Sequence, residues 1–229
     1  IMDIEAIERE KEEIIKKYGK WTAHNIQLAE NIYTIDRRVV GDEIKLRRIL
    51  QVVSDNSNKP LKELRILDLA SHEGLYSVEF ARHGAQVIGI EGRKANLEKA
   101  QFAKRILSLS NLEFFLDDVR NLSREKYGDF DVVLCLGILY HLDVPDVFLF
   151  LEKTAEVCRY FTVIDTHISL SSKKSYVYNN QKYWGKNYRE HLFFTSTEQR
   201  AKALWASLDN PKSFWLTRRS LYNFLSEIG

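Results

Sequence analysis

Short apolar runs alternate regularly with helical patterns between residues 64 and 165, and this alternation constrains the fold more than any other feature of the 229-residue sequence. The apolar runs are RILDLA (65–70), QVIGIE (86–91), LEFF (112–115), FDVVLCLGI (130–138) and YFTVID (160–165). Helical patterns between them cover 74–83, 94–107 and 144–157. Because strands joined by crossover helices run parallel, with right-handed connections, this order predicts a doubly wound, mostly parallel α/β sheet flanked by helices.

The regular alternation of apolar runs and helical patterns is confined to the middle of the sequence, which predicts three regions. Residues 1–60 are expected to form a helical N-terminal extension or lid, and residues 61–168 the α/β core. Residues 169–229 are expected to form a C-terminal lid on the substrate side, because this segment is polar, rich in tyrosine and too irregular for the parallel sheet.

The sequence predicts four helices outside the core. Asp3 is expected to begin a first helix that ends near Lys17, and a second helix is expected to begin near Asp42. A further helix is predicted after Ser196, and Thr217 is predicted to cap the last one.

Composition excludes several classes of protein. An apolar fraction of 45% and 12% aromatic residues argue against disorder, and a net charge of +2 is not that of a dedicated nucleic-acid binder. The longest uncharged apolar stretch, 132–140, is far shorter than the roughly 20 residues that cross a bilayer. The charged N-terminus has no apolar segment typical of a signal peptide. We therefore expect a cytoplasmic protein with no membrane partner.

Two cysteines, Cys135 and Cys158, lie in apolar stretches, which is typical of buried thiols in a reducing compartment. Two cysteines are too few for a cysteine-based zinc site, and no metal site is predicted. The expected assembly is a monomer or a homodimer.

The residues after each strand carry the expected chemistry, because ligands of such sheets bind outside the carboxyl ends of the strands. The first strand leads into Asp68-Leu-Ala-Ser-His-Glu-Gly74, a turn of small residues before a helix. The second strand ends in Glu91, 23 residues after Asp68, where a carboxylate can accept both hydroxyls of a ribose. The alternative is a tight turn and an exposed glutamate with no ligand.

Acidic residues in this turn distinguish between two classes of cofactor. A dinucleotide brings an anionic pyrophosphate close to the backbone, whereas Asp68 and Glu73 would repel phosphate and attract an ammonium or sulfonium group. S-adenosyl-L-methionine carries both of these positive groups. The turn therefore favours S-adenosyl-L-methionine over a dinucleotide.

The third and fourth strands end in further polar residues. Asp117-Asp118-Val119 could bind an adenine, although two acidic residues before a helix more often only cap it. Tyr140 and His141 follow the most apolar strand, and a histidine there could act as a general base. A structural, hydrogen-bonded histidine is at least as common.

Together these residues resemble the class I S-adenosylmethionine-dependent methyltransferases. The matching pieces are LDLASHEG (67–74), GIEGR (89–93), LDDVRNL (116–122) and FDVVLCLGILYHL (130–142). The resemblance implies a Rossmann-like fold, S-adenosyl-L-methionine as cofactor and S-adenosyl-L-homocysteine (SAH) as product. The cofactor-binding residues that it implies are Asp68, Ala70, Ser71, His72, Gly74, Glu91, Gly92, Asp117, Asp118, Val119 and Leu136.

The resemblance also implies which part of the cofactor each of these residues would bind. Asp68 and the turn at 70–74 would hold the methionine end of the cofactor. Glu91 would hold the ribose, and Asp118 with Val119 the adenine.

The sequence departs from the family pattern in two places. Ala70 stands where the family usually has glycine, and His72 where it often has glycine, which predicts weakened but competent binding. The family normally adds an antiparallel hairpin after the last helix, so we expect that the hairpin is lost or that the chain is cut short at Gly229. Ile1 before Met2 likewise suggests a cut or engineered end.

Aromatic residues outside the parallel sheet are candidates for the acceptor pocket. The predicted substrate-binding residues are Trp21, His24, Tyr140, Trp184, Tyr188 and Trp215, and the predicted catalytic base is His141. The alternative is that these rings only pack the peripheral segments onto the sheet.

Three functions are open at this point. The first is transfer of a methyl group to an oxygen or nitrogen of a small-molecule acceptor. The second is a tRNA or other RNA methyltransferase, whose phosphate track would use basic residues of the C-terminal segment, namely Lys173, Lys174, Lys182, Lys186, Arg189, Arg218 and Arg219. The third is a degenerate methyltransferase fold that serves as a binding module. The near-neutral charge and the aromatic segments favour the first.

Overall fold

The computed structural model describes residues 3–35 and 41–229. The helices are α1 Ile4–Tyr18, α2 Gly41–Asn56, α3 Leu75–Arg82, α4 Lys94–Ile106, α5 Arg124–Tyr127, α6 Asp146–Val157, α7 Thr197–Lys202 and α8 Arg218–Ile228. The strands are β1 Gln27–Ala29, β2 Ile32–Tyr33, β3 Arg65–Leu69, β4 Gln86–Glu91, β5 Leu112–Leu116, β6 Phe130–Leu136, β7 Cys158–Asp165, β8 Lys174–Tyr178, β9 Gln181–Arg189 and β10 Lys212–Leu216.

The five strands predicted from the apolar runs form one sheet in the order β5-β4-β3-β6-β7. β3 pairs in parallel with β4, and β4 pairs in parallel with β5. The order reverses between β3 and β6, as expected for a doubly wound sheet. The predicted α/β fold is confirmed.

The described residues divide into two compact units. Unit 1 contains the residues up to Asp118 together with Phe130–Leu134, and unit 2 contains Val119–Asp129 together with Cys135–Gly229. The expectation drawn from Ile1 and Met2 concerns residues outside the described part of the chain.

In unit 1, the N-terminal segment packs onto α4. Arg105 forms an ion pair of 2.5 Å with Glu10 of α1, and the ring of Trp21 lies 5.7 Å from that of Phe102. Asp3 stands at the N-terminus of α1, as predicted, but its side chain makes no capping hydrogen bond.

In unit 2, the tyrosine-rich segment after β7 is regular, and the expectation of an irregular segment is wrong. β8 and β9 form an antiparallel hairpin, and β10 pairs with the other edge of β9 in a separate three-stranded sheet. The hairpin turns at Asn179 and Asn180, whose φ angles of 47° and 62° suit the two-residue turn of twisted strands. At Gly185 of β9, a Cβ would lie 2.3 Å from the carbonyl oxygen of Trp215, so only glycine fits.

The last two helices of unit 2 begin where the sequence predicts. Ser196 caps α7 and forms a reciprocal capping box with Gln199. The Thr217 hydroxyl caps α8 by accepting from the backbone N–H of Ser220.

Candidate active site

The turn between β3 and α3 keeps a glycine-like backbone although two of its residues carry side chains. Ala70 and His72 have φ angles of 54° and 53°, in the left-handed region that glycine adopts most easily. Gly74 follows with a φ of 88°, and a Cβ there would lie 2.8 Å from the Cβ of Ala100. The two departures from the family pattern therefore leave the path of the turn intact.

Glu91, at the end of β4, stabilises this turn through hydrogen bonds. One carboxylate oxygen accepts from the backbone N–H of His72 at 2.9 Å, and the other accepts from the backbone N–H of Arg93 at 2.8 Å and from the Asn96 amide at 3.3 Å. A carboxylate has about four lone-pair sites, so about one remains for a ligand. Sequence reasoning missed this structural role of Glu91.

Asp68 is a buried carboxylate at the tip of β3, with 2% of its surface exposed. It accepts a 2.6 Å hydrogen bond from the Ser77 hydroxyl, and no basic side chain in the described part of the chain forms an ion pair with it. Burial, only partly offset by Ser77, raises the pKa of Asp68 to about 7. A cationic group placed beside Asp68 would therefore be strongly favoured.

Ser71 offers a second free contact in the same turn. Its hydroxyl is buried and has no hydrogen-bond partner among the residues that the structure describes. Gly89 of β4 faces it, since a Cβ at Gly89 would lie 3.1 Å from the Ser71 oxygen. Buried polar groups in native proteins are nearly always paired, so this hydroxyl is available to a ligand or to a water molecule.

Glu73 contacts other parts of the protein, although its position in the turn had suggested a contact with the cofactor. Its fully buried carboxylate accepts from the backbone N–H groups of Thr22, Ala23 and His24, and it forms a 3.0 Å ion pair with Lys99. Burial acts to raise the pKa of Glu73, but His72, these backbone donors and Lys99 outweigh it and lower the pKa. Glu73 therefore anchors the 20–24 segment rather than attracting a ligand.

His24 lies beside this turn as a neutral ring. Its Nδ1 accepts from the backbone N–H of Leu75 at 3.1 Å, at the first residue of α3, and its ring lies 5.0 Å from that of His72. Burial, reinforced by His72, lowers the pKa of His24 to about 3. Since Nδ1 is an acceptor, Nε2 carries the proton and can donate to a ligand.

Asp117 and Asp118, which were predicted to bind an adenine, follow the end of β5, where the backbone N–H of Asp117 donates to the carbonyl of Glu91 at 3.1 Å. Asp117 and Asp118 are half-buried, and the Asp117 carboxylate accepts from the backbone N–H of Asp118. Gly92 follows β4 directly and is half-buried. Asp68, Glu91 and Asp118 thus lie at the same ends of three neighbouring strands of unit 1.

Val119 and Leu136 belong to unit 2. Val119 begins a short 3₁₀ helix and is buried, and Leu136 is the last residue of β6 and half-buried.

His141 of unit 2 faces a carboxylate that sequence reasoning did not assign to it. The imidazole Nδ1 lies 3.0 and 3.1 Å from the two carboxylate oxygens of Glu190, one residue beyond β9. The Glu190 side chain is only 1% exposed, and it also accepts from the backbone N–H of Ser207 at 2.8 Å. Burial acts to raise the pKa of Glu190, but His141 and the other donors prevail and lower it.

A row of aromatic rings adjoins His141 in unit 2, and we call it the ring row. Tyr140 lies 4.4 Å from His141 and 4.3 Å from His167, while His167 stacks on Trp215 and Trp215 on Tyr188. The Trp215 indole N–H donates to the carbonyl of Tyr140 at 2.8 Å. Three predicted acceptor-binding residues are thus brought together, with His167 as a member that sequence reasoning missed.

Tyr140 keeps its hydroxyl proton under ordinary conditions. Burial, helped by the charges of Asp165 and Glu190, raises the pKa of the Tyr140 phenol above its usual range. Tyr140 can therefore donate a hydrogen bond but is no base near neutral pH.

Two predicted acceptor-binding tryptophans do not join the ring row. Trp21 is buried in unit 1 against Phe102, with the Lys99 ammonium 5.9 Å from its ring, so it has the packing role that was the alternative. Trp184 is 41% exposed on β9, with the Lys182 ammonium 4.9 Å above its ring.

Two further classes of site are absent from the described part of the chain. No group of three or more histidine, cysteine, aspartate or glutamate side chains there could hold a metal ion. No helix within it has the length and apolar character needed to traverse a bilayer.

Comparison with curated proteins gives methyltransferase relatives. The Ubiquinone biosynthesis O-methyltransferase of Pelagibacter ubique is 30% identical over 123 residues, which are 54% of this chain and 49% of that protein. The protein of the same name from Azorhizobium caulinodans is 37% identical over 105 residues, 44% of this chain and 38% of that protein. The chain thus spans half or less of the length of these relatives.

Solved structures match over more of the chain. The N-terminal domain of EvdMO1, crystallised in the presence of SAH and D-fucose, is 26% identical with a TM-score of 0.76 and covers 100% of this chain and 88% of its own. The magnesium protoporphyrin IX methyltransferase ChlM from Synechocystis PCC 6803, with bound SAH, is 17% identical with a TM-score of 0.54. It covers 83% of this chain and 73% of its own, and at that identity the likeness concerns the fold.

A family model supplies the last comparison. Residues 66–160 match the model described as a methyltransferase domain, and this range contains β3 to β6 and the turn after β3. The doubly wound sheet, the acidic strand ends and this match over fewer than half of the residues make the chain similar to the class I S-adenosylmethionine-dependent methyltransferases.

Proposed function

We propose that the chain binds S-adenosyl-L-methionine and transfers its methyl group to a hydroxyl oxygen of a small-molecule acceptor. The observation that carries the proposal is Asp68, a buried carboxylate with a raised pKa and no cationic partner in the described structure. The relatives named O-methyltransferases and the SAH-containing crystals of the EvdMO1 domain support it.

The residues of unit 1 fit this cofactor. Asp68 would bind the ammonium group, and the unpaired hydroxyl of Ser71 would take one of the polar groups of the methionine end. Glu91 would bind the ribose through its remaining acceptor site, and Asp118 with Val119 would bind the adenine. When bound, the cofactor supplies a methyl group attached to a positively charged sulfur.

The residues of unit 2 would serve the acceptor. An oxygen acceptor must lose a proton as it gains the methyl group, and His141 is the proposed base. Tyr140, Tyr188 and Trp215 would form the wall of the acceptor pocket. The presence of D-fucose in the crystals of the EvdMO1 domain supports an acceptor that carries hydroxyl groups.

The RNA alternative is less well supported. Two of the basic residues that it would use, Lys182 and Lys186, lie over the rings of Trp184 and Trp215, at 4.9 and 4.4 Å. Ammonium groups held on aromatic faces in this way are drawn away from a phosphate track. Retention of RNA at low salt, falling steeply as salt is added, would favour this alternative.

Calorimetry with SAH tests the cofactor assignment. We expect the wild-type chain to bind SAH and Asp68→Asn to bind it at least tenfold more weakly. Asp131→Asn is the matched control, because Asp131 is also buried in unit 1 but accepts from the backbone of Arg65. No binding by the wild-type chain would favour the degenerate binding module.

An assay with radiolabelled S-adenosyl-L-methionine and a panel of hydroxylated small molecules tests the reaction itself. Methylation of a panel member is the expected result. Methylation of bulk tRNA with none of the panel would instead establish the RNA alternative. We also propose a cytoplasmic location, which the thiol state of Cys135 and Cys158 supports.

A further inference from the structure

His141 and Glu190 approach each other from distant parts of the sequence, 49 residues apart. His141 ends a short 3₁₀ helix after β6, and Glu190 follows the end of β9. Both carboxylate oxygens lie within hydrogen-bond distance of one ring nitrogen, Nδ1.

The Glu190 side of the pair is fixed by its surroundings. The backbone N–H of Ser207 holds one carboxylate oxygen at 2.8 Å, and the backbone N–H of Glu190 donates to the carbonyl of Pro211 at 2.9 Å. The His141 side is held as well, because the Asn210 amide donates to the His141 carbonyl at 3.1 Å. Hydrogen bonds thus hold the backbone of both residues and one carboxylate oxygen of Glu190.

The chemistry of the two groups fixes where the ring proton lies. Because the pKa of Glu190 is lowered, its carboxylate is ionised near neutral pH and can only accept hydrogen bonds. Nδ1 must therefore carry the proton that the carboxylate accepts. In the neutral ring, the lone pair is then on Nε2.

We propose that Glu190 is the positioning residue of the methyl transfer: it holds His141 in the Nδ1–H tautomer, so that Nε2 accepts the proton of the acceptor hydroxyl. This inference rests on the proposed function and deepens it. The proton balance is complete, since for each methyl cation equivalent gained, the acceptor oxygen releases one proton, which becomes the Nε2–H of His141. The carboxylate of Glu190 stays ionised and offsets the positive charge of the ring.

A purely structural ion pair makes a different prediction. It would affect the stability of unit 2, but it would not require the ring to keep one tautomer or the reaction to depend on the charge of residue 190. The tautomer of His141 therefore separates the two roles.

Nitrogen-15 NMR of the imidazole rings in the apo protein tests the proposal directly, because the two tautomers give different nitrogen shifts. The His141 signals are assigned by their loss in His141→Gln. We expect the Nδ1–H tautomer in the wild type and a mixture, or the Nε2–H tautomer, in Glu190→Gln. Glu152→Gln is the matched control, because Glu152 is a hydrogen-bonded carboxylate of unit 2 that contacts Tyr178 instead.

The second measurement is the kinetics of methyl transfer to an acceptor identified in the panel of hydroxylated small molecules. We expect Glu190→Gln to lower kcat by about 10- to 100-fold, part of the roughly 10²–10⁴-fold contribution of a general base, while the Kd of SAH stays unchanged. Glu152→Gln should change neither value.

Two results would overturn the proposal: a wild-type His141 in the Nε2–H tautomer, or a tautomer and a kcat that Glu190→Gln leaves unchanged. The wild-type spectrum decides even if Glu190→Gln does not fold. The spectrum needs neither cofactor nor acceptor, so it tests the pairing of His141 with Glu190 independently of the reaction. A chain that has the Nδ1–H tautomer of His141 but transfers no methyl group would refute the proposed function and leave the pairing standing.

Discussion

The carboxylate of Glu73 accepts a hydrogen bond of 2.8 Å from the backbone N–H of Thr22, 51 residues earlier in the chain. It also neutralises Lys99, whose ammonium donates to the carbonyl of Lys20 at 2.6 Å. One buried side chain thus joins the N-terminal segment, the turn after β3 and α4.

Glu73→Ala is therefore expected to destabilise the protein by about 3–5 kcal/mol, because it leaves the Lys99 ammonium buried without its counter-charge. Urea denaturation at pH 7 measures the change. Glu79→Ala, which removes a partly exposed ion pair with Arg82, should cost less than about 1 kcal/mol. Equal effects of the two substitutions would show that the buried pair has no special weight.

The raised pKa of Asp68 makes the stability of the apo protein depend on pH. The folded state holds the Asp68 proton up to about pH 7, whereas the unfolded chain releases it near pH 4. Between these values the folded state binds more protons, so its stability falls as the pH rises and levels off above pH 7.

Asp68→Asn should remove this dependence and be the more stable protein at pH 8, by about 2–4 kcal/mol. The measurement is the difference in unfolding free energy between wild type and variant, followed from pH 4 to pH 8. A difference that stays constant across this range would contradict the raised pKa.

The left-handed conformation of Ala70 predicts that glycine is the better residue there for stability. The conformation costs an alanine roughly 1–2 kcal/mol, which exceeds the extra freedom that glycine loses on folding. Ala70→Gly should thus stabilise the protein by roughly 0.5–1 kcal/mol in thermal or urea unfolding. Ala81→Gly, within α3, should do the opposite by about 1 kcal/mol, and the same sign for both would refute the argument.

Trp215→Phe tests the proposal that Trp215 forms part of the wall of the acceptor pocket. It removes the indole N–H that donates to the carbonyl of Tyr140, so the proposed wall is positioned less well, and we expect the KM for the acceptor to rise roughly fivefold, equivalent to about 1 kcal/mol. The Kd of SAH should not change. Trp205→Phe, at a residue 66% exposed, is the control, and a matching rise in KM there would remove Trp215 from the pocket.

The strands of the parallel sheet could be predicted because each is a compact apolar run, and β4 has the predicted bounds of 86–91. The β8–β9 hairpin could not, because its strands, KSYVY and QKYWGKNYR, contain neither a compact apolar run nor a regular alternation. A signal was nevertheless present in Asn179-Asn180, a pair suited to a tight hairpin turn.

The candidate site could be predicted as far as the residues at the strand ends. Sequence reasoning predicted that Asp68 and Glu91 lie at the ends of neighbouring strands, and in the structure they do, since topology alone brings parallel strand ends to one edge. It missed the role of Glu190 as the partner of His141, which depends on a contact across 49 residues that no local pattern encodes. It also assigned Trp21 to the acceptor, because an aromatic ring looks the same in sequence whether it lines a pocket or fills a core.

The left-handed residues of the turn after β3 bear on how such loops evolve. Glu91, which lies outside the loop, accepts from the amide of His72, and Glu73, within the loop, accepts from the N-terminal segment, so contacts to residues outside the loop help to impose its shape. Counting glycines is then a poor guide to whether a loop of this kind can form. Ala70 and His72 show that residues with side chains can occupy the left-handed positions of such a turn when contacts of this kind hold it.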